Sequence, residues 1–221
     1  MTEGIAEVLT FAIGVAISPV PIIAVILMLF SGRARVNGPM FLIGWAVALS
    51  AVSGTAYLAG DAVSDSSGAD AVSWSKVLFG LVFLLLAARS WRSRPAPGVE
   101  PERPKWMAGI DAFSPGKAIA LGVLLAGVNP KNLLLAAGAG AALAGLGLPT
   151  TDAVVALIVF VAVGSLTIGG PVIYYLLGGE AARTKLDSAK DWLAVHNDAV
   201  MTVLFLVFGV NLISTGIPPL T

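Results

Sequence analysis

Residues 122–137 read GVLLAGVNPKNLLLAA, and residues 14–29 read GVAISPVPIIAVILML. Each places a polar residue, a proline and a second polar or helix-disrupting residue about halfway along an apolar stretch, so that Ser18-Pro19-Val20-Pro21 corresponds to Asn129-Pro130-Lys131-Asn132. A proline inside a helix removes one backbone donor and obstructs the carbonyl four residues back. Backbone freed in this way at membrane depth must be buried in protein or line a cavity. Both stretches therefore predict discontinuous helices.

Outward from these segments, six hydrophobic stretches are read at 7–30, 39–60, 74–88, 118–148, 153–177 and 200–217. Of the 221 residues, 57% are hydrophobic and 12% charged, with a mean hydropathy of +0.91, against about a quarter charged in soluble domains. At about 20 apolar residues per crossing this composition predicts roughly six spans and leaves little chain for a soluble domain. The first stretch lacks the basic flank of a signal peptide and begins with Glu3 and Glu7, so it is read as a transmembrane helix.

The positions of Lys and Arg set the orientation. The first connection carries Arg33 and Arg35, the third Arg89, Arg92, Arg94, Arg103, Lys105 and Lys117, and the fifth Arg183, Lys185 and Lys190, whereas the second and fourth are nearly free of them. Eleven of the 13 basic residues obey this pattern, Lys76 and Lys131 being the exceptions. Both termini are thus expected outside the plasma (inner) membrane, with three cytoplasmic connections. The fold class expected is an all-α integral membrane protein of six helices in two inverted three-helix repeats, 1–92 and 113–221, joined by a Pro-rich cytoplasmic linker, 93–112. In transporters of this build the substrate site lies at the repeat interface, between broken helices.

The linker holds Pro95, Pro97, Pro101 and Pro104, which deny it a regular helix. In the fifth connection Ala182, Leu186, Ala189 and Leu193 fall at helical spacing beside Trp192, which predicts a short helix on the inner interface or a solvated connecting helix. Gly164, Gly169, Gly170 and Pro171 make the fifth span flexible or kinked, and Gly138, Gly140, Ala142 and Ala144 give the fourth a small-residue packing face. Trp45 reads as packing; Trp74, Trp91 and Trp106 read as interface anchors, and His196 as a solvated loop residue.

Several function classes drop out. Net charge is zero and no basic surface exists for nucleic acid; cysteine is absent and histidine occurs once, which removes thiolate chemistry and His-based metal or haem sites. No cofactor is expected, and no phosphate-binding GxxxxGK[ST] loop occurs. No Asp or Glu lies at the depth of the breaks, against divalent-cation export and carboxylate proton relays. No nucleophile, base and orienting group assemble from the intramembrane residues, so the chain is not expected to be an enzyme.

The candidate substrate site is Ser18, Pro19, Pro21, Asn129, Pro130, Lys131 and Asn132. Lys131 is the only basic residue well inside an apolar stretch, where a charge costs about 2.5–3.5 kcal/mol. Its ammonium is read as pairing with an anionic headgroup or carboxylate, or as releasing a proton as access alternates. The competing reading is that it merely counterbalances carbonyls freed by the break. Ser50, Ser53, Thr55, Ser165, Thr167 and Asn211 are candidates for interhelical hydrogen bonds.

The order of spans, the segments AISPVPIIAVILML (16–29) and GVNPKNLLLAAGAGAAL (127–143), and the Pro-rich basic centre resemble the GAP family of actinobacterial membrane proteins. These are the Sap-like glycolipid- or sulfolipid-addressing proteins within the LysE transporter superfamily. The resemblance spans essentially the whole chain. It implies a part in moving envelope glycolipids to the cell surface, with membrane lipids and an anionic lipid or small molecule as ligands and a larger lipid exporter as partner; the small-residue faces suit a homodimer or intramolecular packing equally. Two readings follow: an exporter with a midplane site at the two breaks, or an accessory scaffold for a separate lipid-export machine. Superfamily members also export small solutes such as amino acids.

Overall fold

The structure is a computed structural model that describes residues 1–64, 69–94, 109–110 and 112–217. Among these residues there is no strand, and the helices are α1 (Thr2–Ala16), α2 (Pro19–Leu29), α3 (Ala34–Ser64), α4 (Ala69–Arg92), α5 (Pro115–Gly127), α6 (Pro130–Gly145), α7 (Thr150–Gly164), α8 (Leu166–Gly178) and α9 (Glu180–Gly216). Helices satisfy their own backbone, which is what an apolar solvent demands of a spanning segment.

The two predicted breaks are present. α1 and α2 bend by 58° and α5 and α6 by 66°. The residue before proline is driven out of the α region, and Ser18 is extended while Asn129 has ψ 119°. Pro19 and Pro130 then open the following helices, a position at which the missing N–H costs nothing. A third break, of 56°, separates α7 from α8. It falls at Ser165, next to Gly164 and ahead of Gly169, Gly170 and Pro171.

Ala34–Gly60 and Glu180–Gly216 are each long and apolar enough to cross a membrane, and counting each bent pair as one span raises the total to five. α4 covers the 74–88 stretch and is not among these five. The separate interfacial helix expected in the fifth connection is replaced by one helix, α9, running through it; no Gly or Pro occurs between Glu180 and Gly209 to interrupt it. Of the four helically spaced residues Ala182 and Leu186 are buried, Leu193 is half-buried and Ala189 exposed, and His196 is exposed on α9. Most of the linker, 95–108 and 111, lies outside the described residues, and so do Arg103, Lys105 and Trp106.

By packing the chain falls into two units. The first comprises Met1–Ala62 and Glu102–Ala194. In it α1 packs on α6 and α7, and α2 on α8, around fully buried Val8, Ala12, Val15, Ala139, Leu143, Ala153, Ala156 and Phe160. Glycines bring backbones together: a Cβ on Gly122 of α5 would stand 2.3 Å from the Phe41 carbonyl oxygen of α3, and one on Gly140 of α6 would stand 2.1 Å from that of Ser53. The small-residue face of α6 is therefore a packing face. Trp45 is fully buried and stacked on Phe41 at 6.4 Å, as a packing residue should be.

The second unit comprises Val63–Pro101 and Val195–Thr221. Phe83 of α4 meets Phe205 and Phe208 of α9 at 5.7 and 6.1 Å, and Gly80 lies against Gly209. Trp74 and Trp91 are exposed, with the Arg94 guanidinium over the Trp91 ring.

Large apolar side chains cover the outside of most helices, among them Ile43, Leu58, Leu85, Ile158, Leu166, Ile173, Leu177 and Val203. Apolar exposure on that scale is foreign to a soluble monomer. Lipid is the solvent that fits it.

Candidate functional site at the helix breaks

Each break frees carbonyl groups whose partners can be followed one at a time. Pro21 has no N–H for the Ile17 carbonyl, and the Ser18 N–H turns to Ala16, 2.9 Å away, instead of Gly14. The Lys131 ammonium replaces both missing donors. Its Nζ donates to the Gly14 oxygen at 2.7 Å and to the Ile17 oxygen at 2.8 Å. The Ala16 oxygen also accepts from Thr167 Oγ1 at 2.6 Å. The carbonyl end of α1, the negative pole of its dipole, is thus capped by a cation from α6 and a hydroxyl from α8.

The second break is closed locally. Asn129 Oδ1 accepts from the Lys131 backbone N–H at 3.1 Å, the usual device of a helix N-cap. The Asn129 N–H goes to Leu124, which frees the Leu125 carbonyl, and Asn132 Nδ2 donates to it at 2.9 Å. Asn132 Oδ1 in turn accepts from Ser18 Oγ at 2.9 Å, so a side-chain bond joins the two breaks directly.

Of the predicted site residues, Ser18, Asn129, Lys131 and Asn132 share this network. Pro19 and Pro21 are buried at the start of α2, whereas Pro130 is exposed and takes no part beyond opening α6. Ser18, Lys131 and Asn132 are only 2%, 3% and 0% exposed, so the charge is held inside the protein. No carboxylate pairs with Lys131 among the described residues. Nor do three or more His, Cys, Asp or Glu side chains gather to hold a metal ion among them.

Among the described residues Thr167 is the one member of the wider polar set that bonds across helices; Ser53 and Thr55 bond within α3, and the Asn211 carbonyl accepts from Ser214 and Thr215. Its sequence signal was a hydroxyl beside the Gly-Gly-Pro cluster of the fifth span. At the third break the Ser165 hydroxyl is buried with no partner among the described residues.

Residues 8–218 match the family model described as Sap, sulfolipid-1-addressing protein (SfLAP). The chain belongs to this family. The match covers both helix-break segments, as the sequence resemblance implied, and together with the apolar helices it makes this sulfolipid-addressing family member a membrane protein with a lipid-related transport role. No curated protein and no solved structure matches the chain.

For this Sap family member the Ser18–Asn132 bond is directly testable. Interhelical hydrogen bonds in membrane proteins couple by about 0.6 kcal/mol on average and up to roughly 1.7, and this one is fully buried. Unfolding of Ser18→Ala, Asn132→Ala and the double variant in detergent is expected to be non-additive, the second substitution costing less once the first is made. Strict additivity would show that the two side chains do not interact.

Proposed function

We propose that this protein is a six-span transporter of the LysE type, built as two inverted three-helix repeats, that moves an anionic envelope glycolipid or similar amphiphile through the helix-break site. The observation that carries the reading is Lys131: a buried cation, without an acidic partner among the described residues, tying the break of one half to the break of the other. The carbonyl end of α1 offers a partial charge of only about −0.5, so positive charge remains. An ammonium has three donors and two are engaged. An arriving sulfate or phosphate group competes with Gly14 and Ile17 for the ammonium, and by doing so loosens the tie between α1 and α6. Substrate binding and helix movement are then one event.

Two further observations support the repeat. Ser18-Pro19 and Asn129-Pro130 stand at equivalent N-cap and first-turn positions of α2 and α6. Each half also contributes alike to the packing units, its first two spans to one and most of its third to the other. The Lys and Arg bias of the connections supports a plasma-membrane location with both termini outside. A second reading, a static scaffold for a separate lipid exporter, is favoured by the occupation of the ammonium by two carbonyls.

Reconstitution separates the two. In proteoliposomes, fluorescent phosphatidic acid and sulfatide are expected to change leaflets several-fold faster than fluorescent phosphatidylcholine, measured by quenching of the outer leaflet. Equal rates for all three, at the protein-free level, would leave only the scaffold.

A further inference from the structure

A cavity of about 510 Å³ lies within the first packing unit, away from the helix breaks, lined by Phe30, Ser31, Gly32, Arg33, Ala34, Arg35, Val36, Tyr175, Glu180 and Arg183. It is walled by the α2–α3 turn, the first turns of α3 and α9, and α8. Three of its lining residues are arginines and one is a glutamate.

The carboxylate is already engaged. Glu180 Oε2 accepts from Arg183 at 3.2 Å and Oε1 from the Tyr175 hydroxyl at 3.3 Å. Arg183 is further fixed by the Phe30 carbonyl at 3.5 Å and by the Phe30 ring, 4.8 Å from its guanidinium carbon. Arg33 and Arg35 are exposed and have no side-chain partner among the described residues. The cavity is thus lined by one arginine bonded to Glu180 and Phe30 and two free ones, an excess of two positive charges over its single carboxylate.

A guanidinium fork matches the paired oxygens of a tetrahedral oxyanion. The volume lies in the range of small-molecule sites and exceeds what a bare ion fills, leaving room for the group that carries it. We propose that this cavity is a second, superficial binding site for a sulfate or phosphate monoester, held by Arg33 and Arg35 against the fixed Arg183. Positive charge at a membrane face by itself requires no cavity; the combination of a half-open cleft of about 510 Å³, an arginine bonded to Glu180 and Phe30, and two unpaired ones is what assigns a ligand. The site stands apart from the helix-break reading, because it is tested by binding alone.

The probes are sulfatide and phosphatidic acid in phosphatidylcholine nanodiscs, and inorganic sulfate and phosphate in detergent. Acidic lipid retained by the purified protein is counted by native mass spectrometry, and inorganic anion binding is read as a rise in melting temperature. The double variant Arg33→Gln/Arg35→Gln is expected to melt as the wild type does without anion, since the side chains it changes are exposed and unpaired, and to lose binding by about tenfold or more. Lys117→Gln, a basic residue outside the cavity, is expected to leave binding unchanged. Retention of acidic lipid by wild type but not by the double variant identifies a lipid headgroup as the ligand. A response to inorganic sulfate or phosphate alone, lost in the double variant, identifies the free anion. Binding that is absent from wild type, equal in wild type and double variant, or lowered as much by Lys117→Gln overturns the site.

Discussion

Lys131→Met is expected to lower the melting temperature of the purified protein clearly and to abolish its lipid transport. Methionine fits the apolar surroundings but donates nothing, so the Gly14 and Ile17 carbonyls lose the ammonium that now bonds them. A buried acceptor left without a partner costs about 1–3 kcal/mol, a cost that falls in full on the Gly14 carbonyl and in part on that of Ile17, whose bond is only part-buried. Lys131→Arg keeps charge and donors and is expected to retain most of the stability. A Met variant that melts with the wild type would show that the ammonium does not hold the end of α1.

Gly140→Leu is expected to keep the protein from accumulating in the membrane. Even a Cβ at this position would lie 2.1 Å from the Ser53 oxygen and 2.8 Å from the Tyr57 nitrogen, both backbone atoms of α3 that cannot swing aside. Overpacking a tight interior typically costs about 1–3 kcal/mol; Gly140→Ala is expected near that range and leucine beyond it. Gly54→Ala is the control, since a Cβ there meets nothing within 4 Å and alanine is the better helix former. Membrane abundance by immunoblot and melting in detergent are the readouts. Normal accumulation of Gly140→Leu would mean that α3 and α6 do not approach as closely as described.

The two breaks were legible because proline acts locally: it lacks an N–H and restricts the residue before it, whatever surrounds it. Pro19 and Pro130 accordingly open α2 and α6 where the sequence placed them. That Lys131 meets freed carbonyls was one of the two sequence readings; that they are those of Gly14 and Ile17, at the other break, was not legible. That pairing depends on α1 and α6 lying side by side, a long-range packing result that no spacing encodes, and the same holds for the reach of Thr167 to Ala16. The break at Ser165 lacks an adjacent proline, so its Gly and Pro neighbours indicated a weak span without fixing the point. In α9 the charged stretch around Lys190 read as a connection, yet with no helix breaker before Gly209 the helix simply continues. Arg33, Arg35 and Arg183 were read only as orientation signals. Their sharing of one cavity comes from the meeting of two connections that lie far apart in the chain.

The action of Lys131 on a lipid substrate is reached most directly by the surface-lipid profile of a strain lacking the gene. That strain is complemented with wild type, Lys131→Arg or Lys131→Met, each adjusted to equal membrane abundance. The predicted result is loss of a sulfated or otherwise anionic surface glycolipid, full restoration by wild type, partial restoration by Lys131→Arg and none by Lys131→Met. Full restoration by an equally abundant Lys131→Met would contradict it.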